Sequence, residues 1–402
     1  MLSAPNDTGL KQGDDEVPLR VTVVTGFSGS GKSTLVRRVM AGRGRIRLAV
    51  LVHDRSDASL DADDSCGAGC EVFHLGESMA ELVQRCVGCS LRESLADAMV
   101  AIARLRRFDR LIIECSALVE PVSVAELFNE ALAAQAPLAD LARLDHIVTV
   151  VDAESFWTDV RSTEDLHSRG LSGGADDVRT VSELLVEQVE YSTLVVISKS
   201  ERVSSARQHR VTALVRRLNP EADVLQASSG QRVVDHVLSC RSSALETISF
   251  QPGWVKLLEE GPMPRLSQTR WTTGVFRATR PFHPTRFWQL VEEDWFGVER
   301  CKGYFWLASQ PERCFLWSQT AGVRHYECLG DWWAATPREQ WPTDPDFEAK
   351  LHKEWSVEFG DRRQALACIG YQLDQQELFS RLRDCLLTSS ELLLGEAGWR
   401  QF

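Results

Sequence analysis

The sequence predicts an α/β fold in which a doubly wound, mainly parallel sheet is followed by a second, smaller domain. Three observations support this prediction. Short apolar runs alternate with helical patterns in the first part of the chain, and a glycine-rich turn follows the first run. Of the 12 Trp residues, only Trp157 precedes Trp254, so the two parts have different core compositions. A chain of 402 residues also exceeds what one hydrophobic core usually serves.

Five apolar runs rich in Val, Ile and Leu predict strands that are buried on both faces. They span residues 20–25, 47–52, 110–114, 145–151 and 193–198. Apolar residues at three- or four-residue spacing predict helices between them. These helices span residues 33–40, 91–105, 122–134, 181–189 and 206–218. Ligands of such a domain bind beyond the carboxyl ends of the strands.

Proline and glycine mark the domain boundary. Pro252, Gly253, Gly261, Pro262 and Pro264 disfavour a continuous helix or strand, so we expect a linker over 251–270. The first domain then spans 19–250 and the second 271–398. Residues 1–18 are polar and acidic and are expected to form a disordered tail, and glycine and serine predict a loop at 168–177.

The composition excludes several classes of protein. No run approaches the roughly 20 apolar residues that span a bilayer, so no membrane association is expected. The net charge of −12 argues against nucleic-acid binding. The 11 cysteines do not resemble a secreted disulfide framework. We therefore expect a cytoplasmic protein.

The glycine-rich turn is a complete G-x-x-x-x-G-K-S phosphate loop. Its glycines lack Cβ atoms, so backbone N–H groups can surround phosphate oxygens. Lys32 is predicted to neutralise the β- and γ-phosphates, and the Ser33 hydroxyl to coordinate Mg²⁺ at the start of a helix. The predicted nucleotide-binding residues are Gly26, Ser28, Gly29, Ser30, Gly31, Lys32, Ser33 and Thr34. The first domain is therefore predicted to be a P-loop NTPase domain.

Glu114 ends the predicted strand 110–114, at the edge where the phosphate loop lies. A carboxylate there can hold Mg²⁺ through water or orient the attacking water, so Glu114 and Lys32 are the predicted catalytic residues. The alternative is an ordinary acidic residue at a strand end.

Two close pairs of cysteines suggest a metal site. Cys66 and Cys70 are separated by three residues, and Cys86 and Cys89 by two. Four thiolates in two such pairs suit tetrahedral Zn²⁺. A redox dithiol and unconnected thiols are the alternatives.

The motifs of both domains resemble those of the CobW-type GTPases. The resemblance rests on residues 25–34 (TGFSGSGKST), 86–95 (CVGCSLRESL), 114–121 (ECSALVEP) and 150–153 (VVDA), and in the second domain on 280–284 (RPFHP), 302–308 (KGYFWLA), 317–322 (WSQTAG) and 360–364 (GDRRQ). It covers about residues 20 to 394. It implies a GTPase that handles a metal, often zinc, and delivers it to client proteins, with an α+β, ferredoxin-like C-terminal domain.

The metal motif departs from the family pattern. Gly88 replaces the middle cysteine of C-x-C-C, which leaves Cys86 and Cys89. Cys66 and Cys70 could complete a four-cysteine site, whereas Asp54 and Asp57 would give a mixed sulfur and oxygen site.

The nucleotide motifs depart from the family pattern as well. Ser198, Lys199 and Glu201 occupy the guanine motif N-K-x-D and are also predicted to bind the nucleotide, where Glu201 could accept hydrogen bonds from guanine. Ala117 replaces the glycine of E-x-x-G, and its Cβ is expected to slow hydrolysis by obstructing the approach to the γ-phosphate.

The functional hypothesis is a GTP-hydrolysing metallochaperone that uses GTP, Mg²⁺ and Zn²⁺ and transfers metal to client metalloproteins, either as a monomer or as an oligomer. Two alternatives stay open. One is a P-loop ATP-dependent enzyme, and the other is a non-hydrolysing regulatory or scaffold protein that keeps zinc for structure.

Overall fold

The first domain of the computed structural model is a parallel sheet of seven strands. The structure describes residues 17–53, 69–75, 87–171, 177–239, 252–261 and 270–402. The strands are β1 (Leu19–Thr25), β2 (Leu48–Val52), β3 (Cys70–His74), β4 (Arg110–Glu114), β5 (Ala142–Asp152), β6 (Leu194–Ser198) and β7 (Asp223–Gln226), in the order β3-β2-β4-β1-β5-β6-β7. The doubly wound α/β prediction is confirmed.

Helices cover both faces of this sheet. They are α1 (Lys32–Gly42), α2 (Val87–Arg104), α3 (Pro121–Ala133), α4 (Pro137–Leu141), α5 (Phe156–Asp159), α6 (Val181–Glu190), α7 (Ser205–Leu218) and α8 (Gln231–Val237). Alternate side chains of one strand serve the two faces: Val23 packs in the same cluster as Met99 of α2, and Val24 in the same cluster as Val36 of α1. The sheet therefore has a core on each side.

All five predicted strands and all five predicted helices are present, with small shifts at their ends. Two strands, β3 and β7, were not predicted. Both are edge strands that pair on one side only, and their residues are mostly half-buried. They consequently lack the continuous apolar run that identifies the buried strands.

The second domain is an antiparallel sheet of five strands with helices. Its elements are β8 (Trp271–Ala278), α10 (Pro284–Glu292), β9 (Val298–Phe305), β10 (Arg313–Thr320), β11 (Val323–Asp331), α11 (Pro345–Glu354), β12 (Gln364–Tyr371), α12 (Gln375–Asp384), α13 (Ser389–Leu392) and α14 (Gly395–Trp399), and the strand order is β11-β10-β9-β12-β8. The α+β class is confirmed, with one strand more than a β-α-β-β-α-β unit.

The predicted linker contains a helix, α9 (Gly253–Glu260), which contacts α7 and strands β8, β9 and β12. Its Trp254 and Leu257 are buried in one apolar cluster with Leu214 of α7 and Ile369 of β12. The two domains thus share a core. Of the predicted tail, residues 1–16 lie outside the described residues, as do residues 172–176 of the predicted loop. No described helix combines the length and apolar character needed to cross a bilayer.

Candidate functional site

The phosphate loop lies at the carboxyl end of β1, between β1 and α1. Three of its glycines adopt left-handed backbone angles, with φ of 141° at Gly26, 70° at Gly29 and 104° at Gly31. A Cβ on Gly26 would lie 2.5 Å from the carbonyl oxygen of Val150 in β5. The tight turn therefore requires glycine, as the motif predicts.

Lys32 lies within the curve of this loop and is buried. Its ammonium donates hydrogen bonds to the carbonyl oxygens of Gly26 (2.9 Å) and Phe27 (3.3 Å). The Ser30 hydroxyl is also buried and has no hydrogen-bond partner among the described residues. The Lys32 ammonium and the Ser30 hydroxyl can both donate to phosphate oxygens. A bound phosphate would also give the Ser30 hydroxyl the partner that buried polar groups normally have.

Ser33 and Glu114 meet at the carboxyl end of β4. The Ser33 hydroxyl donates a 2.5 Å hydrogen bond to Oε1 of Glu114, and the Glu114 side chain is fully buried. β1 pairs with β4 through Val24 and Glu114, which brings the acid beside the phosphate loop. Two side-chain oxygens that lie this close together can both coordinate Mg²⁺, which prefers oxygen ligands. Ser33 and Glu114 would hold this ion, directly or through water, and the ion would supply charge neutralisation on the phosphates.

The altered guanine motif lies next to the same loop. Ser198 Oγ donates a 2.6 Å hydrogen bond to the carbonyl oxygen of Ser30, so the serine joins the end of β6 to the phosphate loop. Lys199 has a left-handed backbone (φ 52°), and its ammonium lies 2.6 Å from Oδ2 of Asp152. Glu201 has an exposed carboxylate 4.0 Å from Arg202. Ser198 and Lys199 are thus ordered at the loop, whereas Glu201 projects into solvent.

The segment after Glu114 is held by a helix of the same domain. Gln188 of α6 is fully buried, and its Nε2 donates to the carbonyl oxygens of Ala117 (2.9 Å) and Val119 (3.3 Å). Ala117 is itself buried. The segment that replaces E-x-x-G is therefore anchored to α6 through its backbone.

Arg179, two residues before α6, contacts the same segment. Its Nη1 donates to the carbonyl oxygen of Leu118 (3.2 Å) and to the Glu120 carboxylate (2.5 Å), while Nη2 pairs with Asp177 (2.8 Å). The hydrogen bonds to these two carboxylates raise the pKa of Arg179 despite its burial. Residues 117–120 consequently accept four hydrogen bonds from Gln188 and Arg179 besides those of their own turns.

The predicted metal ligands are only partly covered. Cys66, Cys86, Asp54 and Asp57 lie outside the described residues, and Cys89 lies in the first turn of α2. Cys70 is the first residue of β3, pairs with Leu48 at the amino end of the sheet, and is disulfide-bonded. Among the described residues, no group of three or more His, Cys, Asp or Glu side chains could hold a metal ion.

Sequence reasoning did not single out three residues of this site. Asp152 is the last residue of β5, within the VVDA segment, and the carboxyl end of a strand is the signal that could have identified it. Gln188 is one of several polar residues of α6, so its type alone did not mark it. Arg179 had no local signal, because its contacts are about 60 residues away in the chain.

Comparisons with known proteins agree with this geometry. Residues 20–226 match the family model described as CobW/HypB/UreG, nucleotide-binding domain, and residues 271–386 match the cobalamin synthesis protein cobW C-terminal domain. The chain is 32% identical over 393 residues, 95% of this chain and 82% of the relative, to zinc-regulated GTPase metalloprotein activator 1 of Dictyostelium discoideum. It is 25% identical to a zinc chaperone of Mycobacterium tuberculosis, covering 79% of this chain and 76% of the relative.

Among solved structures, the chain is similar to the Zn(II)-bound YjiA GTPase of E. coli, at 16% identity and a TM-score of 0.41, covering 92% of this chain and 100% of that chain. The two family models together cover most of the chain, in the order in which the two domains occur. The chain therefore belongs to the CobW/HypB/UreG family and is a GTPase of that family.

Proposed function

We propose that this GTPase is a metallochaperone, which binds zinc through cysteine thiolates and passes it to client metalloproteins according to the bound nucleotide. The printed names of the relatives, a zinc-regulated metalloprotein activator and a zinc chaperone, support this class of function. Zinc is the cargo in this proposal and GTP with Mg²⁺ the control. The reduced thiolates that it requires fit a cytoplasmic place of action.

The observation that supports the proposal most is the Ser33–Glu114 contact, together with the end of β2 that lies beside it. The His53 backbone N–H donates to the carbonyl oxygen of Glu114 (2.9 Å), so β2 ends next to the Mg²⁺-binding edge, immediately before Asp54. The chain then passes through the cysteine segment to α2. A change at the nucleotide can therefore act on Asp54, the proposed oxygen ligand, on one side and on residues 115–120 on the other.

Cys86 and Cys89 are the proposed thiolate ligands, with Asp54 as the proposed oxygen ligand. The carboxyl end of β2 lies at the nucleotide edge, and Asp54 follows it. Cys70 starts β3 at the opposite edge, about 13 Å away along a strand of this length. Cys70 is also disulfide-bonded, so its sulfur is not a thiolate ligand. The mixed site therefore has more support than a site of four cysteines, in which Cys66 and Cys70 take part.

In the proposed hydrolysis, the protein positions the reacting groups and neutralises the charge of the phosphates. Lys32 compensates the charge on the β- and γ-phosphates, and Glu114 orients the attacking water. Lys199 and Glu201 select guanine, the latter by accepting hydrogen bonds from the base. The Cβ of Ala117 makes turnover slow, which gives the GTP-bound state a long lifetime for metal binding.

The test is zinc transfer to a chromophoric chelator, measured under reducing conditions with the chain nucleotide-free, GDP-bound and bound to a non-hydrolysable GTP analogue. We expect the transfer rate to differ between the GDP and GTP-analogue states, and the difference to vanish in Lys32→Ala. Cys86→Ala with Cys89→Ala should abolish stoichiometric zinc, whereas Cys66→Ala with Cys70→Ala should retain it. A transfer rate that ignores the nucleotide would contradict the chaperone function.

Two other functions predict different results. An ATP-dependent enzyme would let ATP displace a labelled guanine nucleotide at equal concentration. A scaffold that keeps zinc for structure would unfold on zinc removal and would not exchange the metal.

A direct test of delivery uses a client: a purified apo-metalloprotein should gain activity from the zinc-loaded GTPase faster than from the same concentration of free zinc.

A further inference from the structure

A cavity lies between the two domains, away from the phosphate loop. Its volume is about 580 Å³, within the range of small-molecule sites. The first domain contributes Trp157 of α5 and Arg210 of α7, and the second contributes Arg270, Arg324 and Tyr371. A ligand in this cavity would touch both domains at once.

The cavity has an excess of positive charge. Four arginines line it, Arg161, Arg210, Arg270 and Arg324, against two acids, Asp294 and Glu299. Glu299 is committed to Arg161, with the Nε–Oε2 hydrogen bond at 2.9 Å. Among the described residues, Arg210 and Arg270 have no carboxylate partner. This local charge contrasts with the net charge of −12 of the whole chain.

Aromatic rings hold these guanidinium groups close together. The Arg161 and Arg210 guanidinium carbons lie 4.1 and 5.0 Å from the Trp157 ring centroid, and Arg210 also lies 5.7 Å from Tyr371. Burial, and then the positive charge of Arg210, lower the pKa of Arg161. Two like charges are therefore kept near one ring, an arrangement that a bound anion would stabilise.

Arg324 of β11 adds a further donor from the second domain. Its guanidinium lies 5.9 Å from the Trp295 ring centroid, and Nη1 donates to the carbonyl oxygen of Val291. Its Nε is buried without a hydrogen-bond partner among the described residues, and burial lowers its pKa. Fixed guanidinium forks suit phosphate and carboxylate groups in particular.

We propose that this interdomain cavity is a binding site for a small polyanion that carries at least two phosphate or carboxylate groups, held by Arg210, Arg270 and Arg324. The net charge of −12 of the whole chain argues against a nucleic acid as the occupant. Because its donors come from both domains, the bound polyanion adds a bridge to the core that the domains share.

Titration calorimetry of the nucleotide-free full chain with pyrophosphate, in the absence of Mg²⁺, tests the proposal, and a parallel titration with citrate distinguishes phosphate from carboxylate ligands. The parent should show two pyrophosphate sites, one in the phosphate loop and one in the cavity. Lys32→Ala should retain the cavity site, and Arg210→Gln with Arg324→Gln should bind at that site at least tenfold more weakly while keeping the loop site.

The matched control is Arg216→Gln with Arg232→Gln, which removes the same charge from exposed positions on α7 and α8. It should leave both sites unchanged. The proposal is overturned if the Arg210/Arg324 variant titrates like the parent, if the control pair weakens binding equally, or if Lys32→Ala abolishes all pyrophosphate binding while circular dichroism shows it folded.

Discussion

Glu190 and Arg300 form a buried ion pair between the two domains. Arg300 Nε and Nη2 donate to the Glu190 carboxylate at 2.9 and 3.0 Å, and the two side chains are 0% and 1% exposed. Arg300 Nη1 also donates to Ser318 (3.0 Å) and Thr320 (2.9 Å). The pair joins the end of α6, the helix that carries Gln188, to strand β9 of the second domain.

Breaking this pair on one side should be strongly destabilising. Glu190→Gln leaves Arg300 buried without its hydrogen-bonded counter-charge, with only the charges of Glu187 and Glu183 to compensate it, so we expect a loss of about 3–5 kcal/mol in the free energy of unfolding. Replacing both residues, with Glu190→Leu and Arg300→Met, should cost much less, because no charge remains buried. Guanidinium chloride unfolding of the three proteins measures this. Equal losses in the single and double variants would contradict the prediction.

The Gln188 amide should support GTP turnover. In Gln188→Leu, the carbonyl oxygens of Ala117 and Val119 lose their donor, which should cost about 1–3 kcal/mol of stability and loosen the segment after Glu114. We expect kcat for GTP to fall about tenfold, with little change in GDP affinity.

Gln364 offers the matched control for this variant. It is fully buried in the second domain, and its Nε2 donates to the carbonyl oxygens of Arg280 and Trp306, both at 3.0 Å. Its Oε1 also accepts from the Trp306 backbone N–H (3.1 Å), so Gln364→Leu should lower stability at least as much as Gln188→Leu and leave kcat unchanged. A similar fall in kcat in both variants would mean that lost stability, and not the Gln188 contact, explains the effect.

Ser198 should contribute to nucleotide affinity through the phosphate loop. Ser198→Ala removes the 2.6 Å hydrogen bond to the Ser30 carbonyl, worth about 1 kcal/mol, so GDP and GTP should both bind about fivefold more weakly. Ser192→Ala is the control, because the Ser192 hydroxyl is buried and donates to Val189 (2.8 Å) away from the loop. Fluorescent-nucleotide titration compares them, and a selective loss of one nucleotide would contradict this role.

The contact between His325 of β11 and Glu183 of α6 should make domain association depend on pH. The hydrogen bond to Glu183, and then its charge, raise the pKa of His325. The imidazolium therefore stabilises the folded chain below about pH 6.5, and this contribution disappears as the pH rises through the raised pKa. Arg300 and Lys302 also face this histidine and oppose its protonation.

The prediction is that His325→Gln lowers the melting temperature by about 1–2 °C at pH 6 and by almost nothing at pH 9, since half-exposed pairs contribute little. Glu187, whose pKa burial raises to about 7, titrates in both proteins and cancels in the difference. His209→Gln on the exposed side of α7 is the control and should show no such trend. A difference that grows with pH would contradict the assigned direction.

Local sequence determined how much of the site could be predicted. The phosphate loop was predicted residue by residue, because glycine angles and the strand–turn–helix order are local properties. Ser198 was predicted as a nucleotide-binding residue in the place of the motif's asparagine, whereas its hydrogen bond to the Ser30 carbonyl oxygen was not predicted. That contact joins residues 168 positions apart, so spacing carries no information about it.

The same reason explains what was missed in the fold. The buried strands β1, β2 and β4 to β6 have apolar runs, whereas the edge strands β3 and β7 do not. Pairing between Glu190 and Arg300 depends on how two separately predictable domains dock. Residues 251–270 were expected to be a linker because of their prolines and glycines, yet Trp254 and Leu257 give the stretch an apolar face that packs as α9.

The core shared by the two domains limits how this protein can be divided. A recombinant fragment ending before α9 would leave Leu184 and Leu214 without Trp254, Trp271 and Ile369, their neighbours in one buried cluster. Such a fragment would expose this apolar surface to water and aggregate. Chimaeras that exchange the C-terminal half must therefore also carry the facing residues of α6 and α7, so the two halves are expected to have diverged together rather than as interchangeable modules.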